Sequence, residues 1–137
     1  MADVTDEAIK KSLAKVNSDH DKTNWFSITY ADWSTDKFNL SNVGVGGLPE
    51  LRESLTDTFQ GYAYLKCPDP SGKGPSQYVL IQYVGEKCTA LQKARVIVHN
   101  DDVLSVLKPA NIEIYAFSKD DITQEKIQQA LKLKSQK

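Results

Sequence analysis

The run Tyr78-Val79-Leu80-Ile81-Gln82-Tyr83-Val84 constrains the fold more than any other part of the chain. Every residue in it except Gln82 is apolar, and β-branched or aromatic types dominate. A strand with one face in water alternates apolar and polar residues. A strand covered on both faces reads as a continuous apolar run. Gly85 ends the run, and a basic segment with Lys87, Lys93 and Arg95 follows it at the surface. A rigid buried strand that delivers a positively charged exit segment suits docking against an acidic macromolecule.

The chain has 137 residues, the usual size of one domain, and a single domain over 1–137 is expected. Area scaling has a chain of this mass burying roughly two thirds of its unfolded surface, so it needs no staple to fold. Lys and Arg number 17 and Asp and Glu 18, a net charge of −1. This balance argues against a nucleic-acid binder, because phosphate binding needs a concentrated positive face. Any basic site must be local. Cys67 and Cys88 lack CxxC spacing, and with His20 and His99 they form no recognisable zinc pattern. The acidic start, Met1 to Asp6, has no apolar stretch of the kind a secretion signal carries, and nothing approaches the ~18 apolar residues of a membrane span. The expectation is a soluble cytoplasmic protein with free thiols and no membrane insertion.

The spacing of Ala8, Ile9, Leu13 and Val16 predicts a helix over 5–17, capped by Thr5 or by Asp3. Strands follow at 25–30 and 37–43, joined as a hairpin through the turn-rich 31–36. Gly44 to Gly47 lead into a proline-started helix that runs to about 57. Strands are expected at 60–66 and 77–84, separated by the Gly/Pro-punctuated 69–75. A short helical segment near 87–93 follows, then a helix over 101–108 stopped by Pro109. A strand over 111–117 and a last helix over 121–134 complete the chain. The pattern is an α/β (α+β mixed) domain, with a central mixed sheet flanked by helices on both faces.

No chemistry-bearing motif stands out. Gly44-Val45-Gly46-Gly47 lacks the Gly-Lys-Ser/Thr of a phosphate loop, so these glycines serve a turn of positive φ. No Gly-x-Ser-x-Gly, HExxH or cysteine motif accompanies the serines, histidines and thiols. His20 reads as a loop residue, and His99, ending a β-branched run, as a surface or edge residue. Asp101-Asp102 and Asp120-Asp121 stand at helix starts, where capping and the dipole account for them. Trp25 and Trp33 read as core and hairpin packing. No catalysis, cofactor or metal is expected.

The segment YVLIQYVGEKCTALQKARVIVH, residues 78–99, resembles the coactosin-like branch of the ADF-homology family, whose members bind the sides of actin filaments. DEAIKKSLAKVNSDHDKTNWFSITY, residues 6–30, looks like that family's first helix, polar loop and Trp-bearing first strand. FQGYAYL, residues 59–65, sits where the family has its third strand. The resemblance runs from about residue 3 to residue 134. It implies the ADF-homology fold with a five-stranded mixed sheet, and filamentous actin as partner. The contacts it implies are Lys87, Lys93 and Arg95, together with Lys73 on the loop before the 77–84 strand, where Gln77 replaces the family's usual lysine. The face of the 101–108 helix with Lys108 joins them, and Lys132, Lys134 and Lys137 add a basic end.

Depolymerising ADF/cofilin proteins carry a long basic helix where this chain has 101–108, which is short and opens with two acids. That departure implies a monomeric side-binder that stabilises or regulates filaments in the cytoplasm and cytoskeleton without severing them. Two alternatives stay open. One is an ADF/cofilin-like binder of monomeric actin. The other is a scaffold that binds another protein or an anionic lipid through the lysines at 126–137.

Overall fold

In the computed structural model the chain builds one five-stranded mixed sheet, in the order β2-β1-β3-β4-β5. Its strands are β1 (Trp25–Tyr30), β2 (Phe38–Gly44), β3 (Gln60–Cys67), β4 (Gln77–Val84) and β5 (Ile112–Ala116). The structure describes residues 3–18, 21–31, 36–67, 76–108 and 110–135. Neighbours from β2 to β4 are antiparallel, and β5 joins β4 in parallel. A parallel neighbour requires a crossover. Here α3 (Ala90–Val98) and α4 (Asn100–Leu104) supply it.

The apolar run behaves as its composition predicts. β4 lies between β3 and β5, and Val79 to Val84 are all buried. The period of two sorts its side chains. Leu80 and Val84 enter one core with Phe26, Ile28 and Tyr62, under α1 (Glu7–Asn17), α3 and α4. Val79, Ile81 and Tyr83 enter the other, under α2 (Gly47–Ser54) and α5 (Gln124–Ser135). Each fully buried aliphatic or aromatic side chain contributes about 1.5–3 kcal/mol, so both helix layers are held mainly by burial on this sheet.

Local chemistry moves several boundaries from their expected places. Asp6, not Thr5 or Asp3, caps α1, its carboxylate accepting from the Ala8 N–H at 3.2 Å. Asp3 instead accepts from Thr5 and bridges to Lys37 beside β2. The second helix stops at Ser54, short of 57. The last helix is split into a 3-10 turn, Lys119–Ile122, and α5. Gly47 does take the positive φ foreseen for the glycine turn, at 68°. Trp25 is buried, and its indole N–H donates to Glu50 at 3.0 Å. Cys67 and Cys88 are buried free thiols. Among the described residues no helix is long and apolar enough to cross a membrane.

Candidate functional site

The segment after β4 folds differently from the short helix expected near 87–93. Its helix, α3, runs from Ala90 to Val98. Thr89 and Gln92 form a capping box: the Thr89 hydroxyl accepts from the Gln92 N–H at 3.2 Å, and the Gln92 side chain accepts from the Thr89 N–H at 2.8 Å. That cap, with Val96 buried on the sheet, outweighs the strand preference of Val96-Ile97-Val98. The Thr-x-x-Gln spacing was the sequence feature that could have placed this start.

The far end of α3 is fastened to the sheet. His99 is not a surface or edge residue but is 5% exposed, and its Nδ1 lies 2.8 Å from the Tyr30 hydroxyl on β1. The Tyr62 hydroxyl on β3 donates to the Val96 carbonyl. The helical path breaks at His99 and resumes as α4, which ends at Leu104 rather than 108. Burial of Val103 and Leu107 explains why this stretch follows the core instead of running on into solvent.

The outer face of α3 is apolar and in water. Leu91 is 82% exposed, Val98 74% and Ile97 55%. Beside them Tyr115 and Phe117 project from the β5 edge, 55% and 43% exposed. Leu91 and Val98 line a cleft of about 550 Å³ with Asp36 and Arg95. Ile97, Tyr115 and Phe117 line a second one, of about 370 Å³, on the opposite flank of the helix. Sequence reasoning passes over these residues, because apolar side chains at helical spacing read as core.

The cations expected at the site fall into separate groups. Lys87 is exposed in the turn before α3, where its N–H donates to the Asp57 carbonyl at 2.9 Å. Lys93 Nζ stands 5.7 Å from the centre of the Phe117 ring. Arg95 points to the other flank. Its guanidinium stacks 3.9 Å from the Tyr30 ring centre and lies 3.4 Å from Asp36 Oδ1. Burial pushes the Tyr30 hydroxyl up to about 12; Arg95 pulls against that and Asp36 adds to it. Lys108 lies past the end of α4, its carbonyl accepting from Asn17 of α1. Lys132 is exposed on α5, across the sheet from α3. Lys73, Lys137, His20 and Trp33 lie outside the described residues, as does the side chain of Lys134. Gln77 opens β4 opposite Cys67.

A family model described as cofilin/tropomyosin-type actin-binding protein matches residues 1–132. Coactosin of Dictyostelium discoideum is 32% identical over 129 residues, which cover 93% of this chain and 87% of that protein. Drebrin-like protein B of Xenopus laevis is 32% identical over 120 residues, covering 88% of this chain but 31% of that longer protein. The crystal structure of coactosin from Entamoeba histolytica superposes with a TM-score of 0.87 at 22% identity, over 99% of this chain and 98% of that one.

Proposed function

We propose that this chain, which belongs to the family of cofilin/tropomyosin-type actin-binding proteins and has the ADF-homology fold, binds the sides of actin filaments without severing them. The observation that carries the reading is the outer face of α3. Leu91, Ile97 and Val98 stand in water on a helix whose inner face is already satisfied by the core. Exposed apolar clusters of this kind serve partner binding, and truncating such anchors is what weakens an interface most.

Lys87 and Lys93 flank that face and would steer it towards the acidic surface of actin, so binding falls as salt rises. Lys73, Lys108, Lys132 and Lys134 are proposed as secondary contacts. The reading of side-binding over wedging rests on the break at His99. Two short helices, the second with Asp101 and Asp102 in its first turn, stand where depolymerising relatives are expected to carry one long basic helix. The domain, taken as 1–137, works as a monomer in the cytoplasm and cytoskeleton, without catalysis or cofactor.

Sedimentation with preformed filaments at low and high salt tests this. The protein should pellet with filaments at low salt, less at high salt, and leave the mass of filament in the pellet unchanged. A fall in filament mass would replace side-binding by depolymerisation. Equal affinity for monomeric actin would favour the monomer-binding alternative. Pelleting with anionic vesicles and not with filaments would favour the scaffold.

A further inference from the structure

β5 is the last strand of the sheet, paired with β4 on one side. The backbone groups along its other side face no further strand, and such an edge is a template for another chain. Soluble proteins blunt these edges with lysine, proline, a bulge or a cover of their own chain. The opposite end of this sheet is treated in that way. Asp3 lies along the start of β2, its N–H donating to the Asp36 carbonyl at 2.9 Å and its carbonyl accepting from the Phe38 N–H at 2.8 Å. The register of β2 on β1 also shifts between Ser27 and Ile28. β5 has no such device. It reads Ile-Glu-Ile-Tyr-Ala, and its register with β4 runs unbroken from Ile112 to Ala116. A cleft lies on each side of its edge. Towards α5, Ile112, Glu113 and Tyr115 line one of about 670 Å³ with Ala130 and Leu133. Towards α3 lies the cleft of Ile97, Tyr115 and Phe117. Successive side chains of a strand point to opposite faces, so a strand laid on β5 would fill these two clefts in turn.

We propose that β5 is a docking edge for an extended segment of a partner polypeptide, apolar on both faces and carrying a lysine or arginine opposite Glu113. The open backbone edge selects an extended chain, because ladder bonds are made by one. Exposed Leu133 on one face, and exposed Ile97, Tyr115 and Phe117 on the other, select apolar side chains. Charge selects the basic residue. Glu113 is exposed on the strand itself, and Asp101 lines the cleft towards α3. Lys93 is held at Phe117, past the end of the strand. Opposite charges directly across a strand pair stabilise it, and like charges destabilise it. A second copy of this chain fits less well. Antiparallel pairing of β5 with itself about Ile114 sets Glu113 against Tyr115, with no cation facing the carboxylate. The site stands whether or not the outer face of α3 holds actin.

The test is an NMR titration of the labelled full chain with the peptide acetyl-Val-Tyr-Val-Lys-Val-Tyr-Val-amide. Two controls accompany it: the same peptide with glutamate for lysine, and a version N-methylated at every residue, which cannot donate to a ladder. Saturable shifts along Ile112 to Ala116 and at Leu133 are expected, with slower amide exchange along β5. The glutamate peptide should bind about fivefold more weakly, and the methylated one should not bind. Glu113→Lys, a change at an exposed side chain, should reverse the preference between the lysine and glutamate peptides. Absence of saturable shifts overturns the proposal, as do shifts centred on Leu91 and Val98, equal binding of the methylated peptide, or an unaltered preference in the Glu113→Lys protein. A chain that sediments as a dimer without peptide, with its β5 amides protected, would assign the edge to a second copy and overturn it too.

Discussion

The hydroxyl of Tyr30 lies 2.8 Å from Nδ1 of His99, a buried bond between residues 69 apart in the chain. It ties β1 to the point where α3 stops, and Arg95 lies over the same ring. Tyr30→Phe should keep the packing and lose the bond, leaving an imidazole nitrogen unpaired in the core. The expected cost is about 1–3 kcal/mol. It would be read as a lower urea midpoint, with faster amide exchange at the end of α3. A midpoint equal to wild type would mean that this bond does not hold the helix.

Gly85 follows β4 and lies against the backbone of the loop between α2 and β3. A Cβ built there would stand 2.1 Å from the Asp57 carbonyl oxygen. The Gly85 N–H donates to Phe59 at 2.8 Å, and that of Lys87 donates to Asp57 at 2.9 Å. Gly85→Ala must therefore part these segments, and a loss of about 2 kcal/mol or more is expected. Thermal or urea denaturation measures it, and an alanine protein as stable as wild type contradicts the close approach.

Stability should fall at alkaline pH. Burial pushes the Cys67 thiol up to about 11 and the Tyr30 hydroxyl up to about 12, and raises Tyr62, Tyr64 and Tyr83 as well. In each case the unfolded chain releases its proton first. The stabilisation is thus complete below the ordinary values, 9.0 for the thiol and 10.0 for the phenols, and is lost as pH rises through the folded ones. Urea midpoints measured between pH of about 9 and about 12 should decline steadily. A midpoint that holds or climbs across that window would contradict the burial of these groups.

Arg95 and the two lysines should separate experimentally. Arg95 stacks on Tyr30 and pairs with Asp36 while its side chain is 22% exposed. Arg95→Ala should cost about 1 kcal/mol of stability whatever it does to binding. Lys87→Ala and Lys93→Ala should stay within about 0.5 kcal/mol of wild type. They should instead slow association with filaments and flatten its salt dependence. Denaturation curves beside association rates decide the matter; an Arg95 change as silent in stability as the Lys87 change would count against its structural role.

The sequence was most legible where composition and burial agree. Tyr78 to Val84 read as a strand covered on both faces, and β4 is that strand. Leu80 and Val84 serve one core and Val79 and Ile81 the other, which no one-sided pattern could have done. The helix after it was harder. Val96-Ile97-Val98 argued locally for extended chain, and only the Thr89–Gln92 cap and the docking of Val96 make it helical. In the sequence His99 reads as a surface or edge residue, because its partner, Tyr30, is brought to it by the fold alone. Leu91 and Val98 were illegible as an interaction face for a related reason. Their apolar character is plain in the sequence, but their exposure follows from how α3 is rotated by His99 and Val96. Nor does local pattern contain the strand order or the parallel pairing of β5 with β4.

The central claim is that the outer face of α3 carries filament binding. It is tested most directly by sedimenting Leu91→Glu/Val98→Glu with preformed actin filaments at low salt, beside wild type. Both side chains lie mostly in water, so the double change should leave the urea midpoint within about 0.5 kcal/mol of wild type. The expected result is wild type in the pellet and a variant, equally well folded, whose affinity is roughly tenfold lower or worse. A folded variant that pellets as well as wild type would contradict the account.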